Sequence, residues 1–310
     1  MKLKSKSTLV LLAGFIVGLV LFFPWNPLKE KVAKTASAAT GAQLEIGSLS
    51  GSTGYMAGLT RGSVFGIKGS NVSIQHPFGI NLRCNKIYIA PRILPLLIGS
   101  LQLGMKCKQK DNSSIAALVK VYPFWGVATG NIRGIDVSVS ADAFSLALLA
   151  NLPGAEGLTG KLTGDIDLSE MSPNGGMPEE LQWEVEIDNL QTPPLDNGLA
   201  PLPPMSFSEA SSEGRMTPRS LDIQKLSLGS KANPLEAHLK LEQIQLDSRM
   251  NPQKGSFHGA IRIDPEFEKQ RLSKINWNSA FGKPDQNGKR EFKRSAKGAW
   301  HTFLIFGAPD

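Results

Sequence analysis

The residues suited to acid–base or metal chemistry are few in this chain, and their spacing does not favour such chemistry. The four histidines, His76, His238, His258 and His301, are not spaced as metal ligands, and no His-Glu-x-x-His motif occurs. The Gly-x-Ser-x-Gly motif of a nucleophilic serine is also missing. His238 falls on the polar side of an alternating segment, which favours a solvated side chain over a catalytic one.

Two further patterns resemble catalytic motifs without meeting their requirements. Gly154–Lys161 is similar to a phosphate-binding loop, but its spacing is wrong by one residue, and Leu162 stands where Ser or Thr must hold magnesium. Glu184, Glu186 and Asp188 alternate along one strand, which is typical of a solvated face rather than of an acid–base pair. We therefore predict a protein without enzymatic activity, and we assign no catalytic residue, metal site or cofactor.

The two cysteines, Cys84 and Cys107, are a candidate disulfide because both lie in predicted strands of an exported chain. On the chain-entropy argument, a bridge between them contributes ~3 kcal/mol of stability. The alternative is a pair of buried free thiols, because the sequence does not show whether the two strands are neighbours. Without nearby histidines, the two cysteines do not form a metal site.

An apolar run dominates the amino end. Lysines at positions 2, 4 and 6 precede the run Thr8–Phe23, which is followed by Pro24 and Trp25. A helix through this run is ~24 Å long, at the short end of what crosses a bilayer. The lysines favour a cytoplasmic amino end, and tryptophan suits the opposite interface. Residues 1–25 are thus predicted to be a cytoplasmic tip and a single transmembrane anchor.

A cleaved signal peptide is the competing interpretation of this amino end. The best cleavage site is Ala36-Ser37-Ala38, but Lys29, Glu30, Lys31 and Lys34 separate it from the apolar run. This spacing is too long and too charged for efficient cleavage, which favours the anchor. In both interpretations the remainder of the chain is exported.

Composition predicts a mainly β exported region. Glycine and proline number 31 and 20, and aromatic residues make up only 7%, which is typical of many strands and turns. The formal net charge is +7. Because the basic residues are not interleaved with aromatic residues on any predicted strand, we predict no nucleic-acid binding.

The hydrophobic periodicity locates the elements. Pro27–Thr40 is predicted to be a short amphipathic helix that stops at Gly41. Beyond it the period changes to two, most clearly in 182–188 and 235–242, which predicts antiparallel strands with one packed and one wet face. The phase slips after Glu242, which predicts a β-bulge near Gln243.

A weak internal repeat places glycines on the apolar side of the predicted strands. Gly160–Leu168 and Gly255–Ile263 share the pattern Gly-x-apolar-x-Gly-x-apolar-x-apolar, and Gly130–Gly134 begins in the same way. Glycine at such positions allows strong curvature or the close approach of another layer. The irregular spacing of the copies excludes a regular solenoid.

The exported region is predicted to have two β-rich parts, 26–191 and 206–310, joined by a proline-rich linker at 192–205. A mobile basic loop is expected over 276–298, and a final strand over Thr302–Phe306. The basic side chains of this loop form a candidate contact site and are Lys283, Lys289, Arg290, Lys293, Arg294 and Lys297.

Several short motifs resemble a known family. After the anchor come Phe22–Val32, Thr40–Leu49 and Gly54–Gly62, and the segment Pro91–Gly99 joins two predicted strands. The remaining motifs are Leu158–Gly164 and Phe303–Pro309. Together they resemble the N protein of the bacterial type II secretion system (GspN) in its long, single-anchor form, and more distantly the AsmA-like proteins.

The resemblance implies a single-pass inner-membrane protein with most of its chain in the periplasm. We expect a transmembrane helix followed by a twisted antiparallel β-sheet or half-open β-roll with a few short helices. The implied function is that of a non-enzymatic accessory component of type II secretion, which supports the export of folded proteins across the outer membrane. The implied partners are other secretion subunits, on the inner-membrane platform or the secretin side, and the inner membrane itself.

Lipid handling is the alternative function, because the AsmA-like relatives imply a β groove that shields lipid in transit between membranes. It predicts a continuous apolar groove, whereas the scaffold interpretation predicts that the same side chains close into a core. A glycan-binding β domain is a third interpretation, disfavoured because few aromatic residues are available to stack on sugars.

Overall fold

The structure is a computed structural model. It describes residues 23–53, 65–75, 81–92, 95, 99–149, 157–172, 177–196, 201–247, 252–272, 283–286 and 289–297. Residues 1–22, which carry nearly all of the predicted anchor, and the predicted strand Thr302–Phe306 lie outside the described residues. Among the helices that are described, none combines the length and the apolar character needed to cross a bilayer.

The described residues are mainly antiparallel β structure, as the alternation predicted. They form two compact units, and the division falls after Ala141. The first unit contains α1 (Lys29–Thr40), preceded by a 3-10 turn at Asn26–Leu28, and the short α2 (Gly126–Thr129). Its strands follow one another as antiparallel neighbours and are β1 (Gln43–Thr53), β2 (Phe65–Gln75), β3 (Asn81–Arg92), β4 (Leu101–Lys108), β5 (Ser114–Tyr122) and the first part of β6 (Gly134–Ser145).

The second unit contains the end of β6, a 3-10 turn at Leu146–Leu149, and α3 (Pro265–Arg271). Its longer strands pair in chain order, and β9 pairs only with β10 among the described strands. These strands are β7 (Thr159–Met171), β8 (Glu180–Thr192), β9 (Leu195–Asp196), β10 (Pro201–Leu202), β11 (Met205–Thr217), β12 (Ser220–Leu228), β13 (Leu235–Leu246), β14 (Pro252–Ile263) and β15 (Lys289–Lys297).

The predicted amphipathic helix is confirmed as α1. It ends at Gly41, which adopts the left-handed conformation (φ 71°) and donates its backbone N–H to the carbonyl of Ser37. The helix lies along β1: the Ser37 hydroxyl accepts from the backbone N–H of Leu44, and the side-chain oxygen of Asn26 accepts from that of Leu49.

The predicted bulge at Gln243 is also confirmed. Gln243 has a positive φ of 52°, and the pairing of β13 with β14 shifts register between Glu242 and Gln245. The side chain of Asp222 on β12 accepts a hydrogen bond of 2.7 Å from the Gln243 backbone N–H. The extra residue moves the buried side chains from Leu241 to Ile244, three positions apart.

The domain boundary differs from the predicted one. The proline-rich segment 192–205 lies within the second unit, and β8 and β11 on either side of it pair directly from Thr192–Met205 to Leu181–Met216. Prolines cannot donate to a ladder, so they accumulate in the connection between two paired strands as readily as in a linker.

The predicted basic loop needs a correction. Residues Lys289–Lys297 form β15, which pairs with β14 from Arg262–Lys289 to Lys254–Lys297. A strand with one solvated face tolerates many charged side chains, because its backbone hydrogen bonds come from the neighbouring strand and not from its own composition.

Candidate functional site

The second unit brings together an apolar trough on one face of its sheet. Residues directly opposite one another on neighbouring strands share a face, so the register assembles three adjacent rows across the strands from β7 to β14. The middle row is Gly164, Val185, Ser212, Leu226, Leu239 and Gly259. The row on one side is Leu162, Ile187, Ala210, Leu228, Ala237 and Ile261. The row on the other side is Ile166, Trp183, Gly214, Ile223, Leu241 and Phe257.

Small residues create the depression. Ser212 in the middle row, with Ala210 and Ala237 beside it, leaves space between the larger aliphatic side chains. The result is a groove of ≈ 420 Å³ whose lining is almost wholly apolar. This volume is within the usual range of small-molecule sites.

Gly164 lets two strands approach closely. Its φ is +146°, and a Cβ added there would lie 2.1 Å from the carbonyl oxygen of Glu184 on β8. Only glycine fits this position. The internal repeat had indicated such a role, because Gly164 and Gly259 are equivalent in the two copies and lie in the same row.

Two buried clusters take in the outer rows of the trough. The row from Leu162 to Ile261 belongs to the first cluster or packs against it, and Leu241 with Ile223 belongs to the second. The first joins Leu190, Phe207, Leu235 and Ile263 to Leu272, which follows α3. The second joins Leu241 to Ile244 on β13, with Leu221 and Ile223 of β12 packed against them. The closed core therefore lies around these clusters.

Between the clusters the apolar face stays open to solvent. Val185, Ile187 and Leu239 are half-buried, and Leu226 is 37% exposed. A closed core leaves such aliphatic side chains almost fully buried. The middle of this face is therefore a groove that lies between two packed rows.

The opposite face of the same strands is polar and contains several ion pairs. Glu236 on β13 accepts from the Nε of Arg262 at 2.9 Å, and its other oxygen lies 3.0 Å from the Nε2 of His238. The hydrogen bond with His238 and then that from Arg262 lower the pKa of Glu236 below its ordinary value. Arg262 also donates to the backbone carbonyls of Ser230, Lys231 and Asn233, so it ties β14 to the turn before β13.

This polar face contains a Ser–His–Glu arrangement. The Ser227 hydroxyl lies 2.7 Å from the Nδ1 of His238, and the Nε2 of His238 lies 3.0 Å from Glu236. A catalytic serine also needs free N–H donors directed at the substrate oxygen. Ser227 is on β12, whose backbone groups point in the plane of the sheet towards β11 and β13. The side chain of His238 is 53% exposed, and we assign the arrangement no catalytic role.

The candidate disulfide residues are joined in the structure. Cys84 on β3 and Cys107 on β4 form a disulfide with Cα atoms 5.3 Å apart. Both are buried, with 2% and 5% exposure, and they pack with Val72 of β2.

Five of the six basic residues of the predicted contact site lie on β15 and not in a loop. Lys283 is exposed, whereas Lys289 pairs with Glu291, and the hydrogen bond from Lys289 raises the pKa of its ammonium. Arg290 is buried and donates to both carboxylate oxygens of Glu268 on α3, at 3.1 and 3.0 Å. The others lie on β15, paired with β14, and are Lys293, Arg294 and Lys297.

The trough itself was not identified as a site from the sequence. Its alternating aliphatic residues were predicted, but the same pattern arises in any packed sheet. The sequence feature that marked this face was the recurrence of glycine in the internal repeat. The structural role of these glycines depends on which residues of β8 and β13 stand opposite them, and the sequence does not show this.

No cluster of metal-ligating side chains occurs within the described ranges. Comparison of the chain with protein-family models, with curated proteins and with solved structures finds no match.

Proposed function

We propose that this protein is a non-enzymatic, membrane-anchored lipid-binding protein, in which the trough of the second unit holds acyl chains. Residues 8–23 would anchor the chain in the bacterial inner membrane, with the remainder in the periplasm as a half-open β-roll. In this position the protein would take part in lipid transfer for outer-membrane biogenesis.

One observation carries this proposal over the scaffold interpretation: the apolar side chains of β8, β11, β12 and β13 line an open groove. Apolar surface of this kind, bordered by polar residues, marks sites for apolar ligands or partners. An acyl chain removes the half-buried side chains Val185, Ile187 and Leu239 from water, which stabilises the complex by ~25 cal/mol per Å² of apolar surface.

Photocrosslinking from the groove in living cells tests the proposal. A benzophenone amino acid at Leu226, which faces the trough and is 37% exposed, should give lipid adducts detected by mass spectrometry of the purified chain. The neighbouring Lys225 is exposed on the opposite face and is the matched control. Equal adduct yields at the two positions would refute the groove as a lipid site.

Filling the trough gives a second test. Ala237→Phe places a large side chain between Leu228 and Ile261, so adducts from Leu226 should fall while the protein remains folded by circular dichroism. Glu186→Phe adds a ring to the exposed opposite face of β8, away from the groove lining, and should leave the adduct yield unchanged.

A second candidate is the accessory role in type II secretion, favoured by the basic strand β15. This strand pairs with β14 on one side, and no other described strand covers its second edge. An open edge offers backbone groups to a strand of another subunit. Deleting the gene in its native bacterium should then leave folded exoproteins in the periplasm; normal secretion with altered outer-membrane lipid would favour the lipid function instead.

A further inference from the structure

The connection between β5 and β6 exposes three large apolar side chains within four residues of sequence. Phe124, Trp125 and Val127 are 39%, 56% and 52% exposed, and we call them the aromatic patch. Large apolar side chains grouped at the tip of a connection are unusual for a surface that faces only water.

The patch is held in a defined conformation by the backbone. Phe124 donates its N–H to the carbonyl of Gly99 at 2.9 Å, and Thr129 donates to the carbonyl of Trp125 at 3.2 Å. The rings of Phe124 and Trp125 meet edge to face, with centroids 5.3 Å apart. Exposure of the patch therefore results from how the chain folds here, and the rings are presented in a fixed arrangement.

The strand register shows at which end of the sheet the patch lies. β1 ends at Thr53 opposite Phe65, β3 ends at Arg92 opposite Gln102, and Val121 near the end of β5 stands opposite Leu101. These positions are all at the same end of the antiparallel sheet. The aromatic patch follows β5 directly and extends beyond this end.

The amino-terminal segment approaches the same end. Going backwards along α1 and into the 3-10 turn before it, Ser37 contacts Leu44, Lys29 contacts Gly47, and Asn26 contacts Leu49. Residues earlier in the chain thus contact residues later in β1. The chain that precedes α1 therefore leads towards the end of the sheet at which β1 finishes. The last described residue there, Phe23, is 39% exposed and packs edge to face on Trp25.

The apolar run that begins at Thr8 ends at Phe23. We propose that the aromatic patch lies in the headgroup region of the same bilayer that holds this run, so that the end of the first unit rests on the membrane surface. This inference rests on the anchor of the proposed function.

The chemistry of the patch fits a lipid interface. Tryptophan, which has an apolar ring and a polar N–H, is preferred at the headgroup level, and phenylalanine beside it supplies apolar surface to bury at the acyl boundary. The connection Pro123–Arg133 contains no acidic residue, and its one charged side chain, Arg133, is exposed, which suits an anionic lipid surface.

Tryptophan quenching in proteoliposomes tests the proposal on the full chain. Vesicles of phosphatidylcholine and phosphatidylglycerol are prepared with or without phosphatidylcholine brominated on its acyl chains. The emission of Trp125 is the difference between the wild type and the conservative variant Trp125→Phe. We expect this difference emission to be lower in the brominated vesicles than in the unbrominated ones, because a tryptophan at the interface lies close to the acyl chains.

Trp183→Phe reports on the trough in the same vesicles, because the indole of Trp183 bonds the Ser212 hydroxyl beside the groove at 2.8 Å. Quenching of Trp183 but not of Trp125 supports the lipid trough and overturns the membrane contact of the patch. Quenching of Trp125 but not of Trp183 supports the patch. If the protein does not float with the vesicles, both the anchor and the patch are overturned.

Discussion

Reduction of the Cys84–Cys107 disulfide should destabilise the first unit by an amount that follows from the chain length it closes. The two residues are 23 positions apart. For a loop of this length the chain-entropy relation gives about 3 kcal/mol at 25 °C. The bridge joins β3 to β4 inside a buried cluster, so its loss acts on the pairing of these two strands.

Urea unfolding of the full chain in mild detergent, followed by pulse proteolysis, measures the effect. With a denaturant slope of about 1–3 kcal/mol per M, the midpoint of the first unit should fall by about 1–3 M after reduction. The oxidised and reduced forms have the same sequence, so the comparison isolates the cross-link. The second unit has no cysteine and serves as an internal control.

The variant Cys84→Ala with Cys107→Ala should unfold at a low midpoint that no longer responds to reductant. A non-reducing gel should also show a mobility change on reduction of the wild type and none for the variant. Identical urea midpoints for the oxidised and the reduced wild type would refute the argument that this disulfide stabilises the fold by lowering the conformational entropy of the unfolded chain.

Three further predictions concern the second unit. Glu268→Gln should lower the unfolding free energy of the second unit by about 2 kcal/mol, because the buried guanidinium of Arg290 loses the charge of the Glu268 carboxylate; a urea midpoint equal to that of the wild type contradicts this. Gly164→Ala should destabilise the second unit by about 2 kcal/mol, since the added methyl meets the backbone of β8. The control is Gly130→Ala, which also has a positive φ but whose added methyl meets no atom within 4 Å. The control therefore carries backbone strain without a clash and should cost less. Glu236→Gln should destabilise at neutral pH, but its difference from the wild type should vanish as the pH falls through the lowered pKa of Glu236; a difference that persists in acid means that the carboxylate charge is not involved.

The sign of this pH dependence follows from the direction of the shift. A carboxyl group with a lowered pKa in the folded state contributes stability above its unfolded pKa, where both states are ionised. The contribution is lost as the pH drops through the folded pKa, because the folded state then takes up the proton as well. The neutral glutamine variant lacks this contribution at every pH.

Local patterns predicted much of the secondary structure. The period of two in 182–188 and 235–242 depends only on neighbouring residues, and so does the slip at Gln243. Gly41 marked the end of α1 because it alone tolerates the left-handed cap. The loop predicted over 276–298 was wrong for 289–297, because strand formation there depends on β14, which lies elsewhere in the sequence.

The sequence by itself determined that this chain has a mainly antiparallel β fold with one apolar and one polar face per strand, since side-chain alternation is a local property of extended backbone. Only the tertiary structure decided which small residues stand side by side. Ser212 on β11 and Ala237 on β13 are distant in the sequence, and both line the groove because hydrogen-bond register places them on one face. The same holds for the aromatic patch and α1, since only strand pairing shows that both approach one end of the sheet.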